Sequence, residues 1–472
     1  MTVPRHSISR RRFLRTAAAG AAASILPGCG PATTDTPSLV SFKPGEPLPW
    51  INWAANQTCN PSVRVAPTSE AELVDVLRNA QGVVRAVGAG HSFSAVVPTN
   101  DTLISTDLLT GLVGHDAAKN QATVLAGTRL HDLGPLLASV GQALPNMPDM
   151  DYPALGGALA SSVHATGTGF GSMCSYVAGL TLVTPAGEVL ECSAEQNREV
   201  FQAARTSVGA LGIVSRVTLQ NQPAFDLTEV ATIGKTEDVL DGIDELCARN
   251  RHFEFFPLLH SKLCIAVATN PARPGDATVG TDDPQAVNTL RRVFDTVQWL
   301  PGGSGLYDKL VELAMGGEAA TTRTGPSYQV LAHVRVVRFR EMEYTVPAAA
   351  GPACVREILR TVREKNLPVC FPLEYRYVKA DDIWLSMFEG RDGCSISVHQ
   401  FGDVDYRPYF AEIEPIFWKY EGRPHWGKVH TLDAKRLSAL YPRHWQDFQE
   451  VRAALDPQGR LLNAHLKHLF LS

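Results

Sequence analysis

Four groups of residues have types and spacing that suit chemistry. In residues 83–94 an apolar, β-branched run enters a turn with Gly88 and Gly90 on either side of Ala89, and His91, Ser92 and Phe93 follow at once. Glycine permits φ > 0 and close backbone approach, and successive N–H groups in such a turn form a nest that suits a pyrophosphate. On its residues alone the stretch also reads as a strand ending in a glycine turn with a surface histidine. It is not the GxGxxG fingerprint, because no third glycine opens a helix at the required offset. Glu374 and Arg376 lie two apart in the extended stretch 371–377, so they share a face. Such a pair can be fixed and aimed at a hydroxylated ligand, or can sit on a solvent-facing sheet. Ser395, Ser397 and His399 likewise share a face, and an imidazole titrating near neutrality is a candidate proton acceptor. The fourth group, His425-Trp426-Gly427-Lys428, presents a cation in a loop. His425 and His430 have no carboxylate or thiolate at ligand spacing, so no metal is expected.

The elements that must position these groups follow from periodicity. Ser69 and Glu72 form a capping box before the stripe Leu73, Val76 and Leu77, which predicts a helix leading to the strand before His91. Residues 123–126 read as a strand and 130–140 as an amphipathic helix. A second glycine-rich stretch, Leu155-Gly156-Gly157-Ala158, runs into Ser161, His164, Thr166 and Gly167. Residues 180–190 then alternate and turn at Pro-Ala-Gly, as a hairpin would. Two small-residue loops beside strands can close on a diphosphate from both sides. From about residue 225 the pattern changes: 237–250 is helical in period, 252–268 strand-like, 271–283 a polar loop, 329–339 strand-like and 352–365 helical.

A chain of 472 residues makes two domains the default, and 44% hydrophobic with 19% charged residues describes a globular protein. A net charge of −5 and no basic run after the N-terminus exclude a nucleic-acid partner. Nine cysteines without CxxC pairs read as small apolar residues, and no obligatory disulfide framework is expected. Ser9-Arg10-Arg11-Arg12-Phe13-Leu14-Arg15 resembles a twin-arginine export motif, and the Ala-rich run 17–26 is too short to span a bilayer. Residues 1–29 therefore read as a signal peptide and 30–47 as a linker. Leu26-Pro27-Gly28-Cys29 looks like a lipobox, which would lipidate Cys29 and attach the protein to a membrane.

Together these motifs resemble the flavin domain of the vanillyl-alcohol-oxidase-type (PCMH-type) FAD-linked oxidase family, most closely its sugar-lactone and alditol oxidase branch. The resemblance covers most of the chain after residue 45. It includes Val208-Gly209-Ala210-Leu211-Gly212-Ile213-Val214, Arg338-Phe339-Arg340-Glu341-Met342-Glu343-Tyr344, Glu374-Tyr375-Arg376 and the His425–Lys428 group. It implies an α+β, two-domain flavoprotein. The FAD-binding PCMH-type domain would be 48–225, and a substrate (cap) domain with a mixed or antiparallel sheet and helices 226–420. Residues 421–472 would return to the FAD domain. It further implies FAD attached covalently through His91, with cofactor contacts from Gly88, Ala89, Gly90, His91, Ser92, Phe93, Ser161, His164, Thr166, Gly167, Ile213, Val214, Lys428 and Asn463. Glu374, Arg376, His399 and Lys428 would carry the catalysis. Pro148 takes the position where glycine or proline accompanies oxidase behaviour. Three residues depart from the branch: Ala165 for a glycine, Ala154 for the serine of alditol oxidases, and His399 for a threonine. The activity implied is oxidation of a CH–OH group of a sugar lactone, sugar or polyol by hydride transfer to flavin N5, with O2 as acceptor giving H2O2. The alternatives are a membrane-associated dehydrogenase serving a quinone or cytochrome, and a non-catalytic, lipid-anchored sugar-binding protein.

Overall fold

The computed structural model describes residues 48–279, 286–300, 302–316 and 319–471. The expected signal peptide, Cys29 and the linker to residue 47 lie outside the described residues, as does the end of the polar loop at 280–283.

In the first half, Thr102–Ser105 lies between Val63–Val65 and Val84–Val87 in a small parallel sheet. Parallel strands need a crossover, and the helix Glu70–Asn79 provides it between the two outer strands. Ser69 Oγ accepts from the Glu72 N–H at 3.2 Å, as the capping box requires. The Glu72 carboxylate instead turns one residue further back, to the N–H and hydroxyl of Thr68. Leu73 and Leu77 pack on Val84, Ile104, Ile213 and Leu461, so the helix is held by the strand that leads to His91. A five-stranded antiparallel sheet stands beside it, in the order Val189–Ser193, Val177–Val183, Ile213–Gln220, Gln121–Leu125, Leu112–Asp116. Its first two strands are the expected hairpin.

Arg85 ties these parts together. Its guanidinium is buried and donates to the carbonyls of Val96 (2.7 Å), Val208 (2.7 Å), Gly209 (2.9 Å) and Leu461 (2.6 Å). Three remote segments thus meet on one side chain in the glycine-turn strand. Burial lowers its pKa to about 10, still well above neutrality, so it remains a cation.

The second half is an eight-stranded antiparallel sheet, ordered Thr321–Pro326, Asp226–Lys235, Leu263–Pro271, His252–Pro257, Glu374–Val378, Gly393–Phe401, Phe339–Pro347, Arg423–Pro424. The last three long strands have no exposed residue. Helices Gly351–Glu364 and Arg407–Lys419 cover the apolar face that carries Tyr344, Tyr375 and Ile396. The alternate residues, Glu341, Glu343, Glu374, Arg376, Ser397 and His399, form the opposite face, also buried. Polar side chains at period two on a doubly covered sheet are therefore where a site is built.

Three expectations need revision. The helical stretch 237–250 breaks at Gly242 into Thr236–Asp241 and Ile243–Arg249. The stretch 252–268 is two strands of a hairpin, not one strand. The stretch 329–339 is not a strand: the short helix Ser327–Val330 is followed by irregular chain up to Phe339. Val334 and Val336 are exposed, so the alternation there buries no face. Its backbone bonds to neighbouring loops instead, the His333 N–H donating to the Asp149 carbonyl at 2.7 Å.

Past Arg423–Pro424 the chain makes hydrogen bonds to the first half. The Val84 N–H donates to the Arg460 carbonyl at 2.8 Å, and Arg460 donates to the carbonyls of Leu77, Ala80 and Pro185. The eight described cysteines are buried free thiols.

Candidate active site

A cavity of about 210 Å³ runs between the two halves. One wall is the glycine turn, Gly88 to Phe93; a second is the helix Leu155–Ala160 with Ser161, Val163 and His164. Ser207 to Gly209 and Gly212 to Val214 form a third, and Arg376, Glu343, His425 and Lys428 close the end beneath the cap sheet. Gly90 takes φ +64°, the left-handed turn its position suggests. A Cβ on Gly157 would project into open space within the cavity, so glycine here leaves room for a ligand against the backbone.

The loops are locked to each other. The Phe93 N–H donates to the Gly427 carbonyl at 2.6 Å and Ser94 Oγ to the Trp426 carbonyl at 2.7 Å. His425 and Val429 donate their N–H groups to the carbonyls of Glu343 and Glu341, both at 3.0 Å. The loop bearing Lys428 is therefore stitched to the strand Phe339–Pro347 and clamped on the glycine turn. His91 stacks on Trp53 with ring centroids 4.4 Å apart, and Tyr152 lies 6.1 Å away, also stacked. Its Nε2 is buried, borders the cavity and has no hydrogen-bond partner. Burial, reinforced by the nearby Lys428 charge, lowers its pKa to about 4, so the ring is neutral at physiological pH.

Of the residues singled out in the sequence, Gly88, Ala89, Gly90, His91, Ser92, Phe93, Ser161, His164, Ile213, Val214, Arg376 and Lys428 line this cavity. Thr166, Gly167 and Asn463 do not. Thr166 Oγ1 donates to the Phe253 carbonyl (2.6 Å) and the Gly167 N–H to the Tyr377 carbonyl (2.7 Å), which splices the loop onto the cap sheet. Asn463 donates to the carbonyls of Ala95 and Pro98 and so supports the glycine turn from behind. Glu374 and His399 stand one layer back, behind Arg376 and Lys428.

That layer is denser in charge than the sequence suggested. Arg376 pairs with Glu374, with Glu254 (2.7 Å) and with Asp149 (3.0 Å), and Asp149 also holds Arg335. One guanidinium thus serves three carboxyl groups. Burial, with the charges of Asp149, Glu254 and Glu341 opposing that of Arg376, raises the Glu374 pKa well above the ordinary carboxylate range. Burial thus pushes Glu374 towards its neutral form, while Arg376 pulls it towards the carboxylate. Asp149 behaves oppositely: Arg376 and Arg335 outweigh its burial and hold it as a carboxylate. Lys428 pairs with Glu341, whose other oxygen lies 3.7 Å from His399 Nε2. Burial would favour the neutral amine, but Glu341 and Glu343 keep Lys428 an ammonium. Glu343 is itself bonded to His164 Nε2 at 2.5 Å.

Asp149, Glu254, Glu341, Glu343 and Arg85 were not singled out by spacing. Glu254 stands opposite Arg376 and Glu341 opposite His399 across strand pairs, a register that no local pattern reveals. Glu341, Glu374 and His399 each bring a ligand-type atom within 4.8 Å of the others. Two of the three already hold a cation side chain.

Comparison with known proteins places this geometry in a lineage. Residues 61–193 match the FAD binding domain model, and residues 217–469 match that of D-arabinono-1,4-lactone oxidase. The chain is 37% identical over 429 residues to an L-gulono-1,4-lactone dehydrogenase of Mycobacterium tuberculosis, covering 89% of this chain and 98% of that one. It is 32% identical to an L-gulonolactone oxidase of Bos taurus (89% and 97% covered) and 30% identical to an alditol oxidase of a Streptomyces species (89% and 98%). The fold matches cholesterol oxidase from Brevibacterium sterolicum with a TM-score of 0.73 at 16% identity, covering 89% of this chain and 96% of that one. With both halves matched, and near full-length relatives above 30% identity, this chain belongs to the D-arabinono-1,4-lactone oxidase family of FAD-linked oxidoreductases.

Proposed function

We propose that the protein oxidises a CH–OH group of an aldono-1,4-lactone, with polyols as a secondary substrate class. The observation that carries this reading is the cavity's polarity. A bare, neutral imidazole stands beside the glycine turn, and Lys428 and Arg376 meet the same space from the cap sheet. The residues fit FAD: the nest at 88–90 and the loop at 161–164 suit its diphosphate, and the partnerless His91 Nε2 suits a covalent bond to it. Bound FAD would supply the two-electron acceptor. The chain's own groups would do the rest. Arg376, fixed from behind by Glu374, would orient substrate oxygens, while the Lys428 ammonium would stabilise negative charge developing at the reacting end. The lactone relatives and the family model favour a lactone over an alditol, as does Ala154 at the position where a serine serves alditols. Pro148, which lines the cavity, favours O2 as acceptor. A second reading, a dehydrogenase, is favoured by the 37% identity to an L-gulono-1,4-lactone dehydrogenase.

The test is turnover of a panel of aldonolactones, aldoses and alditols, following oxygen uptake and dye reduction in parallel. Lactone-dependent oxygen uptake with stoichiometric peroxide is expected. Dye reduction without oxygen uptake would establish the dehydrogenase, and no turnover of any polyhydroxy compound would overturn the enzymatic reading. We also propose export through the twin-arginine motif and anchoring through Cys29. Replacing Arg10 and Arg11 with lysine should leave a flavin-loaded precursor in the cytoplasm, and Cys29→Ser should release the exported protein from the membrane fraction. Unchanged fractionation would refute either claim separately.

A further inference from the structure

Behind the cavity wall the structure carries a chain of three groups whose order suggests where the substrate's hydroxyl proton goes. Lys428 faces the cavity, and its ammonium is bound to Glu341 Oε2. Glu341 Oε1 faces His399 Nε2 at 3.7 Å, and Glu341 and His399 are cross-strand partners. Both are buried, at 3% and 7% exposure. His399 Nδ1 lies 3.1 Å from the Pro372 carbonyl, which can only accept, so Nδ1 carries the ring's proton and Nε2 presents a lone pair. A lone pair and a carboxylate oxygen facing each other repel while no proton lies between them and attract once one does. The imidazole is also fixed in place, stacked on Phe371 at 5.0 Å and set edge-on to Phe339 at 5.2 Å.

We propose that Lys428, Glu341 and His399 form a proton relay that carries the substrate's hydroxyl proton away from the reacting carbon. This rests on the oxidase reading above. Lys428 is the catalytic residue, because it meets the substrate; Glu341 and His399 act through it. The ammonium gives a proton to Glu341 Oε2, Glu341 gives one from Oε1 to His399 Nε2, and Lys428 Nζ takes the hydroxyl proton. The net change is one O–H bond broken in the substrate and one N–H bond formed on His399. The carbinol hydrogen leaves with its electron pair to the FAD of the family's reaction. Lys428 ends with three protons and Glu341 ionised, so the imidazolium is held by a carboxylate. Other charges facing His399 are Lys428 and Arg335, which oppose its protonation, and Glu341, which favours it. Glu374, on the adjoining strand, brings a carboxyl oxygen within 4.8 Å of both groups.

The experiment is anaerobic flavin reduction from pH 5 to 9 in the wild type and in Glu341→Gln, Glu341→Asp and His399→Gln. It is paired with an NMR titration of His399 in ring-labelled protein without substrate. The wild-type rate should fall only at a pH below the ordinary imidazole range, because burial lowers the His399 pKa and the relay's terminus fills only there. Glu341→Gln should lower the plateau on the order of 10²-fold and move both the kinetic limb and the NMR titration of His399 to lower pH. Glu341→Asp, which keeps the charge, should return the limb towards its wild-type position. His399→Gln should abolish the limb. A limb that survives His399→Gln, or an NMR titration of His399 unmoved by Glu341→Gln, would overturn the relay. If no lactone or polyol reduces the wild type, the functional reading fails, while the NMR titration still decides whether Glu341 and His399 share a proton site.

Discussion

Removing the Arg376 guanidinium should destabilise the cap domain in a manner that depends on pH. Arg376→Met leaves Glu254 without its cation and Asp149 with Arg335 alone, both in a buried pocket. Breaking a buried ion pair by deleting one partner costs about 3–5 kcal/mol. Glu374 is already pushed towards its neutral form, so the lower part of that range is expected. At roughly 2–4 °C per kcal/mol for a domain of this size, Tm should fall by about 6–12 °C. The pH dependence has a definite sign. Asp149 is held below its ordinary value in the intact protein. It therefore contributes stability that is present above the unfolded pKa of about 3.9 and lost as pH falls through the folded value. Without Arg376 the stranded carboxylates are raised instead, and their penalty is relieved as pH falls. The gap between variant and wild type should be widest near pH 8 and narrow towards pH 5. The assay is thermal unfolding followed by flavin and tryptophan fluorescence across that range. Glu254→Gln on top of Arg376→Met should recover part of the loss. A Tm drop below about 2 °C, or a gap that does not change with pH, would refute the charge assignment around Arg376.

Three further outcomes are expected. Flavin should remain with the acid-precipitated wild-type polypeptide and be released from His91→Ala; free flavin in the wild-type supernatant would remove the covalent bond while leaving bound FAD. Arg85→Met strands four carbonyls, three of them buried, each buried one costing about 1–3 kcal/mol against a total stability of about 5–15. The yield of soluble, flavin-loaded protein should collapse, and a normal yield with unchanged Tm would contradict the role given to that side chain. Pro148→Ala should change the rate of reoxidation by O2 at least severalfold with flavin reduction little altered, checked by double-mixing stopped flow; equal reoxidation rates would detach Pro148 from oxygen access.

What could be read in advance was local. The φ +64° at Gly90, the helix cap at Ser69 and the shared face of Glu374 and Arg376 each depend on neighbours in sequence. The cavity walls at 88–93 and 161–164 were legible for the same reason. The charge balance was not. Glu254 reaches Arg376, and Glu341 reaches His399, through strand register, and Asp149 arrives from a loop more than 200 residues earlier. An E-x-R pair alone says nothing about two further carboxylates on the same guanidinium, and so nothing about the push of Glu374 towards its neutral form. The stretch 329–339 failed for a related reason. Its alternation is real, but Val334 and Val336 face outward and no neighbouring strand is there to pair with. Thr166, Gly167 and Asn463 were placed with the cofactor by family pattern, and the structure has them bracing the walls instead.

The central claim is that a flavin held between the glycine turn and Lys428 accepts electrons from a lactone's carbinol. The most direct measurement is rapid anaerobic mixing of the flavin-loaded protein with saturating aldono-1,4-lactone, watching the visible flavin band. The band should bleach to completion, and Lys428→Met should slow that bleaching on the order of 10²–10³-fold with much less effect on the lactone concentration required. A flavin band that stays oxidised in the wild type, or that bleaches equally fast in Lys428→Met, would contradict it.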